Sequence, residues 1–328
     1  PSTSAGAAAG GSPGTEAVAT TTVPGGTSPG KVTSVTATLE PWHLGAPLSR
    51  EVVLPDGPDL LVLGGLDASG SSTGAVLLLD PATGKAIPAG SLSLPTHDAG
   101  GAVLHGRSFV IGGGAATIYD TVQGMKLPSV PTASTAASSG YGSTVSILSH
   151  SLPRPRADVS VAQGGGTAYV AGGYDGPSLD AAVLSTTDGH HFKVVAQLPH
   201  PVRYAGLAVA GHDLYVLGGE AGGAPTDLIQ KVDTTTGAVT VAGHLPSPVS
   251  GAEAVVLGGQ VFVLGGKVGG KPSSQVVRFD PGTGQAAIDG HLPVAVTNAG
   301  AAVVGGVGYL IGGEGPQPLA TVVRIQAG

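Results

Sequence analysis

Cysteine is absent from this 328-residue chain, which removes disulfides, thiolate metal sites and thiol nucleophiles together. Charge is scarce as well: charged residues make up 11% and the net charge is −7. These charges form no acidic or basic block, so no surface tracks a phosphate backbone and nucleic acid is not an expected partner. No apolar run approaches the ~18 residues that a membrane-crossing helix needs. The only methionine is Met125 and the chain starts at Pro1, so the native start is expected to lie upstream.

What is abundant is glycine, at 57 residues, and proline, at 26, set among 41% hydrophobic residues that recur in short Val/Leu/Ile runs. That mixture suits many short strands joined by tight turns. Residues 1–31 stand apart. They are almost entirely Ala, Gly, Ser, Thr and Pro, and such a segment cannot bury enough surface to offset its ordering entropy. A disordered linker over 1–31 is therefore expected, with the folded domain over 32–328. A spacer of this kind implies a membrane tether or signal sequence upstream of residue 1, and hence an extracytoplasmic location.

From residue 32 a repeat governs the pattern. The segments LLVLGG, SFVIGG, AYVAGG, LYVLGG, VFVLGG and GYLIGG end in glycine doublets that begin at Gly64, Gly112, Gly172, Gly218, Gly265 and Gly312. The intervals are 48, 60, 46, 47 and 47 residues. Each unit carries a small-residue strand, the strand ending in the doublet, a third strand and a fourth. Turns such as Asp80-Pro-Ala-Thr-Gly84, Asp233-Thr-Thr-Thr-Gly237 and Asp280-Pro-Gly-Thr-Gly284 join the last two. In these turns Asp bonds the turn amides and Gly supplies a positive φ. A Leu-Pro step then ends the outer strand, at Leu94, Leu152, Leu198, Leu245 and Leu292.

Four antiparallel strands per unit and six units predict an all-β fold, a six-bladed β-propeller. The sixth unit lacks its fourth strand, and residues 32–40 followed by Pro41-Trp42-His43-Leu44 occupy the matching position at the other end. The last blade is thus expected to be closed by an N-terminal strand, which also removes an exposed edge. The long second unit predicts an inserted loop over 121–142, rich in Ser, Thr, Ala and Pro.

The doublet after an aliphatic run, the Asp-Pro-x-Thr-Gly turn and the Leu-Pro crossing resemble the kelch repeat across residues 32–328, in a divergent, bacterial-type form related to the central domain of galactose oxidase. The strand-four tryptophan usual in kelch repeats is missing; Trp42 is the only tryptophan. Two enzymes share the resemblance. The copper centre of the galactose oxidase type needs a tyrosine crosslinked to cysteine, which this chain cannot build. The bacterial sialic acid mutarotases need only acid/base and sugar-binding polar residues.

Because neighbouring strands are antiparallel, the crossings between blades and the loops after the doublets open on one face. Ligands are expected where these loops converge. The candidate ligand-binding residues are Arg50, Asp98, Arg156, Asp158, Arg203, Tyr204, Glu253 and Asn298. Aligned on Leu-Pro, Asp98, Arg156, Tyr204 and Asn298 fall in register, with Arg50, Asp158 and Glu253 two residues further on. Ion pairing between blades is the competing explanation for such a ring. His97, Glu51, Glu220 and Glu314 lie in the same crossings and loops.

The histidines near the crossings, His43, His244, His291 and His150, repeat around the ring and read as framework. The adjacent His190 and His191 show no carboxylate partner in the pattern. No metal, no cofactor and no catalytic residue is assigned. The expected function is a monomeric recognition module that binds a glycan, a cell-envelope component or a protein on its crossing-loop face. The alternatives are a sugar mutarotase using channel-mouth carboxylates and arginines, and a structural spacer of the envelope.

Overall fold

A computed structural model describes residues 32–126, 144–148 and 152–328. The described residues contain strands and turns and no helix, arranged as six main antiparallel sheets. Blade 1 runs from its inner to its outer strand through Val52–Asp56, Asp59–Leu63, Ala75–Leu79 and Ala86–Ser91. Blade 2 comprises Gly100–Leu104, Arg107–Ile111, Val122–Lys126 and Thr144–Leu148. Blade 3 comprises Ser160–Gly164, Thr167–Ala171, Ala182–Thr186 and Lys193–Gln197.

Blade 4 has Gly206–Ala210, Asp213–Leu217, Ala224–Asp233 and Val239–Val249. Blade 5 has Glu253–Leu257, Gln260–Leu264, Lys271–Asp280 and Gln285–Val296. Blade 6 has Gly300–Val304, Val307–Ile311 and Thr321–Ala327, and its outer position is taken by Val35–His43. Each inner strand contacts that of the next blade, and the inner strand of blade 6 contacts that of blade 1. The sheets therefore form a ring around a central bore.

The core is divided in the same way. Six clusters of buried side chains each join two neighbouring blades, from Leu61, Val76 and Met125 between blades 1 and 2 to Leu60, Tyr309 and Ile311 between blades 6 and 1. The alternation of small and aliphatic residues along inner strands follows from this packing, because successive side chains point to opposite neighbours. Contacts bind residues 31–328 into one unit.

The doublets hold the blades to the crossings. The second glycine of each donates its N–H to a carbonyl of the crossing into the next blade: Gly65 to Thr96, Gly113 to Arg156, Gly173 to Val202, Gly219 to Val249, Gly266 to Val296 and Gly313 to Leu48, at 2.7–2.9 Å. At the first glycine, Gly64 for example, φ is +66° and a Cβ would overlap the Thr96 carbonyl. Both the left-handed backbone and the close approach exclude any other residue.

Two expectations need correcting. The insertion in blade 2 does not start at Thr121, because Val122–Lys126 is the third strand, paired with Ser108–Ile111; residues 127–143 lie outside the described residues. The framework leucine of blade 1 is Leu92, not Leu94. Leu92 is 3% exposed, as are Leu44, Leu152, Leu198 and Leu245, with Leu292 at 4%. Leu94 lies two residues too far along, in the turn that follows.

Candidate functional site

Counting six residues on from each buried crossing leucine reaches Arg50, Asp98, Asp158, Tyr204, Gly251 and Asn298. All six are left-handed, with φ of 58°, 53°, 55°, 53°, 64° and 53°. Their backbones are chained together around the bore. Arg50 N–H donates to Asn298 O at 2.8 Å, Asp98 to Arg50 at 3.3 Å, Tyr204 to Asp158 at 3.1 Å, Gly251 to Tyr204 at 2.8 Å and Asn298 to Gly251 at 2.8 Å.

A non-glycine residue held left-handed costs roughly 1–2 kcal/mol. Asp and Asn tolerate the conformation, but Arg and Tyr do so poorly. Blade 5 uses glycine here, so the ring itself does not require a side chain. Arg50 and Tyr204 are retained against a local cost, which marks the ring as a place where side-chain chemistry matters.

Those side chains meet over the bore. Arg50 Nη1 lies 3.0 Å from Asp98 Oδ2 and its Nε 2.6 Å from Glu314 Oε1. Nη1 also donates to the Tyr204 hydroxyl at 3.2 Å. Blades 1 and 4 are opposite in a ring of six, so Arg50 and Tyr204 together span the opening. Arg203 Nη1 is 3.2 Å from Asp158 Oδ2 and its Nη2 2.6 Å from Glu220 Oε1. Its guanidinium carbon stands 5.3 Å from the ring centre of Tyr204 and 5.4 Å from that of Tyr174, and that of Arg50 stands 5.7 Å from Tyr204. Asn298 Nδ2 donates to Glu314 Oε2 at 3.1 Å.

Electrostatics follow from this inventory. Two arginines face four carboxylates, Asp98, Asp158, Glu220 and Glu314, so the ionised mouth carries an excess of negative charge. Burial pushes Asp98 up to about 7 despite Arg50, and Asp158 and Glu314 add to the rise. Burial pulls Arg50 down, but Asp98 and Glu314 outweigh it and hold the guanidinium charged. Burial, with Asp98 and Asp158 close by, raises Tyr204 and keeps its phenol protonated.

Of the eight sequence candidates, Arg50, Asp98, Asp158, Tyr204 and Asn298 occupy one ring and Arg203 adjoins it. The other two do not. Arg156 sits two residues before the ring, where the other blades carry Leu48, Thr96, Val202, Val249 and Val296. It is 1% exposed, with Nη2 on the Asp180 carboxylate and Nη1 on Ala182 O at 3.0 Å. Arg156 is a framework position filled by an ion pair. Glu253 lies two residues past the ring, in the bore wall. It is not in register with Arg50 and Asp158: it lies eight residues after Leu245, whereas Arg50 and Asp158 lie six after Leu44 and Leu152.

Missed from the candidate set were Glu51, His97, Glu220 and Glu314. Glu220 and Glu314 pair through isolated bridges with Arg203 and Thr297, each next to a ring residue. Their signal was position, directly after the doublets at Gly218 and Gly312. His97 Nδ1 lies 2.8 Å from Ser72 Oγ, and its Nε2 3.5 Å from Asp98 Oδ2.

The buried Arg156–Asp180 pair carries a direct test. Removing one partner by Asp180→Ala leaves a buried guanidinium, with an expected loss of ~3 kcal/mol or more, whereas the double change Arg156→Met, Asp180→Leu restores most of the stability. Urea denaturation of the two variants checks this. Equal losses in both would mean that the pair does more than fill a framework position.

The framework histidines behave as side-chain hydrogen-bond formers. His244 Nδ1 is 3.1 Å from Asp227 Oδ1 and His43 Nδ1 2.7 Å from Leu44 O; His150 lies outside the described residues. His191, expected without a carboxylate, has one: its Nδ1 is 2.8 Å from Asp188 Oδ2, an aspartate of the same turn. Among the described residues no three His, Asp or Glu side chains gather as a metal site would require.

Six four-stranded antiparallel blades around a bore, with a polar loop face at one end, define a six-bladed β-propeller. The Kelch motif model matches residues 248–285, which run from the crossing before blade 5 to the start of its outer strand. The molecule is a six-bladed propeller that carries a Kelch motif, and kelch repeats in general mediate protein–protein interactions. No curated protein matches the chain.

Proposed function

We propose that the crossing-loop face is a non-catalytic recognition surface, displayed outside the cytoplasm, whose partner is a protein segment bearing positive charge. The observation that supports this most is the ring of left-handed residues, which aims Arg50, Asp98, Asp158, Tyr204 and Asn298 at one opening. Its carboxylates outnumber its guanidinium groups, so the complementary charge is positive. A glycan partner is less favoured because sugars stack on open aromatic faces, and here arginines cover Tyr204 and Tyr174.

Mutarotation is disfavoured by space. The two cavities at the mouth, one between Arg50 and Tyr204 and one between His97 and Arg203, are half open and about 70 and 210 Å³, whereas small-molecule sites are usually ~300 Å³ or larger. The extracytoplasmic location rests on the tether-like composition of residues 1–31.

Parallel peptide and glycan arrays probed with the full chain test the proposal. Binding is expected to Lys/Arg-rich peptides, weakening as salt rises, and at least tenfold weaker for the double variant Glu220→Gln, Glu314→Gln. Binding to neutral glycans alone, or equal binding by the variant, would overturn it.

A further inference from the structure

Beneath the mouth the bore changes character. Three adjoining cavities follow its axis, of about 70, 120 and 270 Å³. The first two share Glu51, Ser160 and Glu253, and the last two share Val161, Leu207 and Ala254. The widest is lined largely by aliphatic residues, including Val209, Val256 and Val303. The narrowest lies under Arg50 and Tyr204, which span the opening. The bore thus runs from an end lined by aliphatic side chains, through a middle stretch whose exposed surface is mostly polar, to a pair of carboxyl groups under a polar cap.

Those carboxyl groups lack a counter-charge. Glu51 is 5% exposed and occupies a position that the other blades give to Ala99, Val159, Ala205, Ala252 and Ala299. Its Oε1 accepts from Gly300 N–H at 3.2 Å, while its Oε2 is buried with no partner. Glu253, on the inner strand of blade 5, makes no side-chain hydrogen bond to any described residue and is close enough to Glu51 for the two charges to repel. The nearest cation, Arg50, is taken up by Asp98, Glu314 and Tyr204. A buried carboxyl oxygen without a donor is costly, and a cationic donor arriving along the bore would satisfy it.

The form of that donor follows from its surroundings. It must be narrow, carry several N–H groups and ride on a slender stem that reaches back to the aliphatic-lined end of the bore. A primary ammonium has three donors on a flexible chain, a guanidinium is broader and rigid, and a quaternary ammonium has no N–H. A metal ion finds only two carboxylates and no third His, Asp or Glu among the described residues. We propose that the bore binds a linear primary alkylammonium, with the chain along Val161, Leu207 and Val256 and the head group between Glu51 and Glu253. This site is separate from the protein-binding reading of the mouth. The ammonium can belong to a free aliphatic amine or to a lysine side chain of a polypeptide, since both present the same group on a methylene chain.

Titration calorimetry on the full chain tests the assignment with n-hexylammonium, hexan-1-ol and Nα-acetyl-lysine methylamide. The wild-type protein is expected to bind n-hexylammonium at least tenfold more tightly than the uncharged alcohol. The double variant Glu51→Gln, Glu253→Gln is expected to lose at least tenfold in affinity for the amine, with thermal unfolding in the same buffer showing that it is folded. Matching affinity for the lysine amide supports the site with a polypeptide as the source; binding of hexylammonium alone supports it with a free amine. Equal binding of alcohol and amine, undiminished amine binding by the double variant, or full displacement of the amine by micromolar calcium overturns it.

Discussion

Deleting residues 1–41 is expected to lower the melting temperature by ~10 °C or more, or to abolish cooperative unfolding, while deleting residues 1–30 leaves it nearly unchanged. The longer deletion removes most of the strand Val35–His43, which runs antiparallel to Thr321–Ala327 with Val35 opposite Ala327 and Leu39 opposite Val323. Val35 N–H also reaches the Asp289 carboxylate of blade 5 at 3.1 Å. On one side of this strand Val32, Val35 and Ala37 pack on the cluster between blades 5 and 6; on the other Trp42 and Leu44 belong to the cluster between blades 6 and 1.

The segment removed therefore closes one sheet and stitches the core between blades 5 and 6, while Trp42 and Leu44 of the other core remain. Its loss leaves Thr321–Ala327 as an open edge, which invites aggregation. The shorter deletion takes only residues whose composition predicts little burial. Thermal unfolding and gel filtration of both truncations decide the matter. If they melt within about 2 °C of each other, the seam is held by something other than this strand.

Much of this architecture was legible because the repeat is written in residues with one structural use each. The doublets mark six positions where a Cβ would strike a carbonyl of the next crossing, so they could not drift, and the number of blades followed from them. The turn aspartates are similar: Asp80 Oδ1 accepts from Ala82 N–H and Asp233 Oδ1 from Thr235 N–H, both at 2.8 Å.

The site was harder to read, and the reason is local. In Ser91-Leu92-Ser93-Leu94-Pro95 two leucines compete for the crossing position, and the proline favoured the wrong one. Counting from Leu92 brings all six ring residues into line, six after the leucine in every blade. Arg156 could not be separated from the ring by composition, since an arginine on a loop face and an arginine neutralised by Asp180 in the framework look alike until the partner is placed. Glu220 and Glu314 were visible as loop residues, but their convergence on Arg203 and Arg50 depends on bridges between segments that sequence spacing does not specify.

Replacing both Glu51 and Glu253 by glutamine is expected to stabilise the fold, and to do so far more at pH 8.5 than at pH 4.5. Burial pushes both carboxyls up to about 8, each aggravated by a neighbouring carboxylate, Glu314 for Glu51 and Glu51 for Glu253. Glu253 keeps some surface open to the bore, but the bore is narrow and walled by protein, so its carboxylate is desolvated nearly as fully. Arg50, Asp98, Asp158 and Glu314 are the charged groups closest above the pair, and the one cation among them is already shared by Asp98 and Glu314.

The sign of the effect follows from which state holds the protons. In the unfolded chain a glutamate ionises near ~4.3. Between that value and about 8 the folded protein still binds protons that the unfolded chain has released, so stability falls as pH rises through this window. Below it both states are protonated and the residues cost nothing; above it the folded protein carries the full penalty of two buried charges. Asp98, pushed up to about 7, adds a smaller loss of the same sign, common to wild type and variant.

Glutamine retains a carbonyl oxygen to accept from Gly300 N–H and carries no charge at any pH. The difference in melting temperature between variant and wild type should therefore be close to zero at pH 4.5 and grow to roughly 5 °C or more at pH 8.5, reflecting several kcal/mol. Calorimetric scans at half-unit intervals of pH would trace the rise. A difference that stays flat across the range would mean that the two carboxylates are already ionised and compensated at low pH, and that the bore holds a positive charge of its own.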